Sequence, residues 1–493
     1  MNFAGPDVRI KPKRPPNKGG DSQYDILLTD AMVIPVEPEH HIWEKGYIAI
    51  TGDRIAALGP MEELGGELPQ ARQHISLKGH VLLPGLVDGH GHAGHCLIKT
   101  LGEHREDWED MAQEIYYCCT DEEFWYAEGA LAAAERLKFG TTTAVSMLGS
   151  TPRIDRPEPV GANLEGSASV GIRQLTGIGS AYGAFPKRAR VWEADGSFRE
   201  YEVTPEMAWK TTEETLRRYN GRHPRQICIV APGRMGLRPD ESREMNIRHN
   251  REMDRLAREY DVPLHTHAYG GDVQFLYDTT PEVLTPRLSL VHSTGYSDRE
   301  LEILAETGAY VFHGPTTHSN ITGHCRVMEM LEQGVNLAVV TDGTASDRSY
   351  DLWRDMKNIQ LLQRYRYKDG SLLPCGRVLE LCTIEPARAL GMDHLIGSLE
   401  PGKKADIIAV DVMQPHLAPF GVMPVQRLVY HAMGQDVDWV MVDGQVMMEH
   451  RRLTQVSEQA VLERAAAAFD TMMHRLNRRD ILENEHLYDL RQG

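Results

Sequence analysis

Short apolar segments that alternate with helical stretches dominate the middle of this chain. Eight segments are rich in β-branched residues, and amphipathic stretches with helix-start and helix-stop signals separate several of them. The segments are VLLPGLVDGH, TTTAVSML, GIRQLTG, ICIVAPG, VPLHTHAYG, LSLVHSTG, AYVFHGP and NLAVVTDG. Strands that alternate with helices favour a parallel sheet, and eight of them predict an α/β chain with a (β/α)8, or TIM, barrel.

Two further groups of strand-like segments lie on either side of this region. DILLTDAMVIPV and GYIAITGDRIAALG come before the barrel, and KKADIIAVDV and VDWVMVDGQVMMEHRRL come after it. We expect these groups to form one composite β-sandwich, from residues 23–83 and 391–455, around an inserted barrel over residues 84–390. A polar, basic and proline-rich arm over residues 1–22 and a helix with a tail over residues 456–493 complete the predicted organisation.

The charge and hydropathy of the chain argue against several classes of partner. The formal net charge is -18 at pH 7, whereas binding to nucleic acid depends on a basic face. The sequence has no apolar run of about 18 residues, so we expect no membrane-spanning helix. The seven cysteines are scattered without a C-x-x-C pair, which is typical of reduced thiols. We therefore expect a cytoplasmic, homo-oligomeric protein with a small-molecule ligand and without a nucleic-acid or membrane partner.

Polar side chains occur where four of the predicted barrel strands end, which is the face that carries catalytic residues in such barrels. The first strand runs into DGHGH, which contains His90 and His92, and the fifth ends in HTH, which contains His267. The sixth contains His292, and the eighth is followed by Asp342. Because residues two apart in an extended strand face the same way, His90 and His92 can bind one ion together. Another histidine and a carboxylate would complete a site for a borderline divalent cation such as zinc.

These motifs resemble those of the amidohydrolase superfamily, in particular its deaminase and chlorohydrolase branch, which includes the triazine-degrading enzymes. The matching segments are PGLVDGHGH, GTTTAV, VPLHTHAY, LVHS, VVTDG, GMDHLIGSLEPGKKADIIAVD and VDWVMVDGQVMMEHRRL, in the family's order. The resemblance implies one divalent metal ion, and the implied ligands are His90, His92, His267 and Asp342. Zinc is the expected ion, with Fe2+, Co2+ and Mn2+ as alternatives. The resemblance also implies two catalytic residues, Asp342 as the acceptor of the water's proton and His292 as the group that orients water or substrate.

Two departures from the family pattern bear on the reaction. The segment ICIVAPG and its neighbouring strand candidates contain no lysine, which binuclear members use to bridge two metals, so we expect a single metal. The deaminases carry a glutamate three positions after the fifth-strand histidine, in an H-x-x-E pattern, whereas this chain has Gly270 there. That glutamate supplies a proton to the ring of the substrate. Its absence favours hydrolysis of a C–N bond in a small amide, urea or carbamate, as in the phenylurea and thiocarbamate hydrolases that the chain resembles.

Two other functions stay open. The first is an aminohydrolase (deaminase) or chlorohydrolase of a nitrogen heterocycle, such as a triazine or a purine- or pyrimidine-like ring, with another acid, such as Asp272 or a loop histidine. The second is a barrel without catalysis that serves in assembly, against which the retained ligand types argue. His95 and His265 are expected to support the site without binding metal. The candidates for substrate contacts are Trp108, Arg234, His313, His318 and His324.

Overall fold

The computed structural model describes most of the chain. The described residues are 23–102, 107–148, 153–179, 185–193, 195–238, 241–319, 323–345 and 348–478. The predicted N-terminal arm and the tail after residue 478 lie outside the described residues.

The described ranges contain strands in three sheets. They are β1 (Tyr24–Val33), β2 (Trp43–Thr51), β3 (Arg54–Pro60), β4 (Ala71–Ser76), β5 (His80–Pro84), β6 (Leu86–Asp88), β7 (Thr141–Met147), β8 (Arg173–Ile178), β9 (Lys187–Trp192), β10 (Phe198–Val203), β11 (Gln226–Val230), β12 (Leu264–Tyr269), β13 (Leu288–Thr294), β14 (Tyr310–His313), β15 (Asn336–Val339), β16 (Ile407–Asp411), β17 (Val437–Val442), β18 (Gln445–Glu449) and β19 (Arg452–Leu453).

Helices cover the outside of the barrel and connect its strands. They are α1 (Trp108–Glu114), α2 (Glu122–Lys138), α3 (Glu158–Val170), α4 (Pro205–Tyr219), α5 (Arg243–Glu259), α6 (Asp272–Thr279), α7 (Asp298–Thr307), α8 (Pro315–Thr317), α9 (Val327–Glu332), α10 (Leu352–Tyr367), α11 (Cys375–Glu380), α12 (Ile384–Ala389), α13 (Pro424–His431) and α14 (Glu458–Leu476).

Eight strands form the parallel sheet of the barrel, in the order β6-β7-β8-β11-β12-β13-β14-β15, and every neighbouring pair is parallel. The first and last strands meet just beyond their carboxyl ends. There the Asp342 N–H donates to the His90 carbonyl over 3.1 Å, and the Asp88 carboxylate accepts hydrogen bonds from Thr341. All eight predicted segments contribute a barrel strand, so the (β/α)8 barrel is confirmed.

The two ends of the chain share one sheet of nine strands. Its order is β19-β18-β17-β16-β5-β1-β2-β3, and β4 pairs with β1. The antiparallel pair β5–β16 joins the ends, with Leu83 opposite Ile408. Buried side chains from both ends, including Leu28, Ile407 and Trp439, pack in one cluster. The composite β module is therefore confirmed, whereas the domain limits given above stay a prediction.

Local details differ from the sequence analysis at two places. The spacing of Thr120 and Glu123 predicts a capping box at the start of α2, but the cap is Asp121, which accepts a hydrogen bond from the Phe124 N–H, whereas the Thr120 hydroxyl donates to a buried carbonyl. The hairpin β9–β10 is an element that the sequence analysis does not contain. Its Asp195–Gly196 turn, with Gly196 at a φ of 83°, carries a hairpin signal that was available in the sequence.

The cysteines and the helices add two simple findings. All seven cysteines are buried and free of disulfide bonds. Within the described ranges, every helix is too short or too polar to cross a membrane.

Candidate active site

Three imidazoles and one carboxylate meet at the carboxyl ends of β6, β12 and β15. One ligand-type atom from each of His90, His92 and His267 lies within 4.8 Å of the other two. Asp342 Oδ1 lies 3.3 Å from His90 Nε2 and 3.2 Å from His92 Nε2. All four side chains are buried. The fold thus brings the four residues predicted as metal ligands into one cluster.

A chain of hydrogen bonds sets which nitrogen of His90 faces this cluster. His90 Nδ1 lies 2.8 Å from His265 Nε2, and His265 Nδ1 lies 2.6 Å from Ser289 Oγ. The Ser289 hydroxyl lies 3.5 Å from the Leu264 carbonyl oxygen, which can only accept, so we assign the shorter contact to donation from His265 Nδ1–H to Ser289 Oγ. His265 Nε2 then accepts from His90 Nδ1–H, which leaves a lone pair on His90 Nε2. His265 therefore supports the site without entering the cluster, as expected.

The backbone orients His267 in the same sense. His267 Nδ1 lies 2.6 Å from the Gly233 carbonyl oxygen, which can only accept, so Nδ1 carries the proton. The unprotonated Nε2 lies 3.3 Å from His92 Nε2. Lone pairs that converge beside a carboxylate repel one another, and a divalent cation between them removes that repulsion. The donor set therefore fits zinc or a similar borderline cation.

Asp342 is held as a carboxylate. Burial alone would raise its pKa, but the charge of Arg348 helps to hold the pKa of Asp342 well below its ordinary value. Its Oδ2 accepts a hydrogen bond of 2.9 Å from Thr317 Oγ1. Its φ of 65° lies in the left-handed region, where non-glycine residues are uncommon and which recurs at functional sites. An ionised carboxylate can both bind a cation and accept a proton.

His292 lies at the end of β13 beside the cluster. Its ring stacks on that of His267 at 5.0 Å and on that of Tyr269 at 5.5 Å, measured between centroids. Burial lowers the pKa of His292 well below its ordinary value, so the ring is neutral. Its Nδ1 has no hydrogen-bond partner in the described part of the chain. A neutral imidazole at this place can offer a hydrogen bond to water or substrate.

The position of the absent glutamate is closed by backbone. The Gly270 N–H donates to the Thr294 carbonyl over 2.9 Å. A Cβ atom added at Gly270 would lie 2.3 Å from the carbonyl oxygen of Gly295, which is closer than real Cβ contacts. A glutamate therefore does not fit at position 270 unless the neighbouring backbone moves.

The carboxylate of Asp272, the replacement acid considered above, is occupied by structural hydrogen bonds. It is fully buried and accepts two hydrogen bonds of 3.0 Å from Arg234, and it also accepts from the backbone N–H groups of Tyr269 and Leu237. The Arg234 guanidinium lies 5.2 Å from the centroid of the Tyr269 ring, and that ring stacks on His292. This pair therefore fixes a cation near the cluster and leaves Asp272 without a free oxygen to act as an acid.

The other candidates border the cluster on two sides. His95 is buried with its ring 4.8 Å from that of His92 and 5.9 Å from that of Trp108. On the opposite side, the ring of His318 lies 5.5 Å from that of His292. None of these residues belongs to the cluster of metal-ligand atoms found in the described residues.

A buried network under the DGHGH segment was missed by the sequence analysis. Arg136 lies 3.8 Å from Asp88 and stacks on the ring of Tyr350 at 3.6 Å, and the Tyr350 hydroxyl donates to the His92 carbonyl over 2.9 Å. The network therefore fixes the backbone that carries His92. In the sequence, only Asp88 in the DGHGH motif indicated this network, because no regular spacing connects Arg136 or Tyr350 to that motif.

Metal-ligand side chains at the carboxyl strand ends of a (β/α)8 barrel are the arrangement expected of a metal-dependent barrel enzyme. The sequence profile of the Amidohydrolase family matches residues 81–447, and the chain belongs to this family.

Curated relatives and solved structures agree with that assignment. The 5-methylthioadenosine/S-adenosylhomocysteine deaminase of Syntrophobacter fumaroxidans is 30% identical over 460 residues, which cover 90% of this chain and 98% of the relative. The 5'-deoxyadenosine deaminase of Methanosarcina mazei is 28% identical, with 92% and 99% covered. An adenosine deaminase structure from Xanthomonas campestris with bound zinc has a TM-score of 0.77 at 23% identity and covers 92% of this chain and 99% of that chain.

A second solved structure is similar in fold. The atrazine chlorohydrolase of Arthrobacter aurescens TC1, complexed with zinc, has a TM-score of 0.69 at 21% identity, with 90% of this chain and 100% of that chain covered. The predicted membership of the amidohydrolase superfamily, with deaminases among its relatives, is confirmed by the family profile and the curated relatives. The chain is a hydrolase that acts on C–N bonds other than peptide bonds.

Proposed function

We propose that this chain is a metal-dependent aminohydrolase that replaces the amino group on a ring carbon of a nitrogen heterocycle by the oxygen of water, with release of ammonia. Adenosine-type nucleosides are the first substrates to test. The observation that carries the proposal is the cluster of three buried imidazoles, two of them oriented by hydrogen bonds at Nδ1, with the low-pKa carboxylate of Asp342. The deaminase relatives support this alternative of the sequence analysis better than its first preference, an amide, urea or carbamate.

The residues of the cluster divide the work. We propose His90, His92, His267 and Asp342 as ligands of one divalent cation, zinc in the first instance, which supplies Lewis-acid activation of water at neutral pH. Asp342 Oδ1 faces the imidazoles, so Oδ2 is the oxygen that takes the proton of the attacking water and passes it to the leaving nitrogen. His292 holds the water or the amino group by a hydrogen bond from its neutral ring.

Hydrolysis of a small amide, urea or carbamate is the second candidate, favoured by the closed position at Gly270. Deamination of a ring needs a proton at a ring nitrogen, and neither Gly270 nor Asp272 provides one. An acyclic substrate instead develops negative charge on its carbonyl oxygen, which positive groups stabilise. The proposed metal ion and a hydrogen bond from the neutral ring of His292 would stabilise that oxygen.

A substrate panel with zinc-loaded protein separates these two functions. Adenosine, 5'-deoxyadenosine and 5'-methylthioadenosine are assayed for ammonia, and a phenylurea, a thiocarbamate and a simple amide are assayed for amine. We expect ammonia from at least one nucleoside. A chelator or Asp342→Asn should lower the rate by at least about 10²-fold, whereas Lys357→Ala, on the exposed face of α10, should leave it unchanged. Turnover of ureas or amides with no ammonia from any nucleoside would replace the proposal with the second candidate.

The remaining expectations about the assembled protein are proposals as well. We propose about one divalent ion per chain, a homo-oligomer and a cytoplasmic location. Elemental analysis of the purified protein and light scattering test the first two directly, and a fluorescent fusion tests the third. A metal content near zero after growth in zinc-supplemented medium would contradict the first.

A further inference from the structure

A cavity opens beside the candidate active site. Its volume is about 650 Å3, and it lies between the segment that follows β14 and the C-terminal end of α10. Its lining includes His313, His318, His324, Gln363, Arg366 and Lys368. The ring of His318 lies 5.5 Å from that of His292 and 4.6 Å from that of His313. The side chain of His318 therefore lies between the cavity and the candidate active site.

The inner wall of this cavity carries polar groups that are buried and unpaired. His313 is 1% exposed, and neither of its ring nitrogens has a hydrogen-bond partner in the described residues. Gln363 is also 1% exposed, and its Oε1 has no partner there. Buried polar groups in proteins are rarely left unpaired, and a neutral imidazole offers one donor and one acceptor. These unpaired groups therefore favour a polar ligand in the cavity.

The charged residues that line the cavity are all positive. Arg364, Arg366 and Lys368 belong to the lining, and none of its described residues is an aspartate or glutamate, although the chain has a net charge of -18. The Arg364 guanidinium is engaged internally, since it donates to two backbone carbonyls and to the Tyr430 hydroxyl. Arg366 and Lys368, at the exposed rim, are the cations that face a ligand. Burial and then the charge of Arg366 lower the pKa of His324 to about 4, against the opposing charge of Glu329, so the His324 ring is neutral at pH 7.

We propose that this cavity, between His313, His318, Arg366 and Lys368, binds an anionic group, a carboxylate or a phosphate, on the part of the substrate that does not react. The inference rests on the proposed function in assigning the anion to a substrate. Imidazole N–H groups donate hydrogen bonds to the anion, and the two cations at the rim balance its charge. Small-molecule sites typically have volumes of about 300 to 1,000 Å3, so the cavity has room for such a substituent.

Equilibrium binding without turnover tests this inference. Inosine, inosine 5'-carboxylate, inosine 5'-monophosphate and inorganic phosphate are titrated calorimetrically into the zinc-loaded protein. We expect at least one of the two anionic nucleosides to bind about 10-fold more tightly than inosine, and the comparison of the two distinguishes a carboxylate site from a phosphate site. The double variant Arg366→Ala/Lys368→Ala should reduce this advantage to less than about threefold. Lys357→Ala, an exposed lysine on α10 outside the cavity, should keep it.

Two outcomes overturn the inference: anionic nucleosides that bind no more tightly than inosine, or an advantage that survives the double variant. A different result would concern the proposed function alone. If inorganic phosphate binds the parent protein and not the double variant, while no nucleoside binds, the anion site stands and the nucleoside assignment fails.

Discussion

Ser289→Ala tests whether a chain of hydrogen bonds sets the protonation of His90. The substitution removes the oxygen that accepts from His265 Nδ1–H over 2.6 Å, at a position that is 1% exposed. Without that acceptor, His265 can move its proton to Nε2 and donate it to His90 Nδ1. His90 then carries its own proton on Nε2, where the cluster needs a lone pair.

The size of the effect follows from the burial of these groups. In the variant, binding of zinc requires the present tautomer of His265, whose Nδ1–H then lies buried without an acceptor. Such a group costs about 1–3 kcal/mol. Because about 1.4 kcal/mol corresponds to a tenfold change in affinity, we expect the dissociation constant for zinc to rise about 10- to 100-fold.

Competition with a chelator of known affinity measures this constant, and denaturant unfolding of the metal-free protein measures stability. Ser167→Ala is the matched control, because Ser167 is a fully buried serine on α3 whose hydroxyl donates to the Leu164 carbonyl over 3.0 Å and not to a histidine. Both variants should lose some stability, but only Ser289→Ala should lose zinc affinity. An unchanged zinc affinity in Ser289→Ala, or an equal loss in Ser167→Ala, would refute the argument.

Three other predictions concern packing, pH and the two chain ends. Gly270→Ala should destabilise the fold by about 1–3 kcal/mol, because its Cβ meets the Gly295 carbonyl. Gly376→Ala has free space around its Cβ and should not destabilise the fold, so equal unfolding midpoints of the two variants would contradict this. Burial raises the pKa of Glu128 from 4.5 to about 7, so the folded state keeps a proton that the unfolded chain releases, and stability falls as the pH rises over this interval. Since one pKa unit corresponds to about 1.4 kcal/mol, Glu128→Gln should remove up to about 3 kcal/mol of the fall in unfolding free energy between pH 5 and pH 7.5. An unaltered pH dependence of stability in this variant would count against the prediction. A chain that ends at Gly391 lacks β16, the partner of β5, and should be insoluble or unfolded by circular dichroism, so a stable truncated protein would show independent ends.

Much of the fold could be predicted because its signals are local. A barrel strand such as β12 appears as a short apolar segment, and its position before a helical stretch places the HTH motif at the functional face. The chain-end sheet was also predictable, since two groups of short strands each too small to be stable alone suggest a shared sheet. We predicted that polar side chains at the ends of separate strands lie close together. That prediction depended only on the parallel arrangement of the strands, and the structure has this arrangement.

The supporting contacts could not be predicted from one sequence, because they depend on side chains from strands far apart in the chain. The contact of His90 with His265 spans 175 positions, and that of His265 with Ser289 joins neighbouring barrel strands. The Thr317 hydroxyl on Asp342 and the Tyr350 hydroxyl under His92 are similar cases. Spacing within a motif records which side chains share a face, but it does not record what reaches them from another strand.

Gly270 shows how the sequence and the packing constrain the reaction together. The motif says that the usual acid is absent, and the Gly295 carbonyl, 2.3 Å from an added Cβ, shows that a simple substitution cannot restore it. For deamination, the donor to the ring nitrogen must therefore come from another strand end. A substrate whose anionic group lies beyond His318 places its ring beside His292 and His318, two neutral imidazoles whose ring centroids are 5.5 Å apart. If the anionic nucleosides bind as proposed, this pair of histidines donates the hydrogen bond that Gly270 cannot provide. His318→Phe should then lower turnover of the nucleoside about 10²-fold or more, while the zinc content stays unchanged.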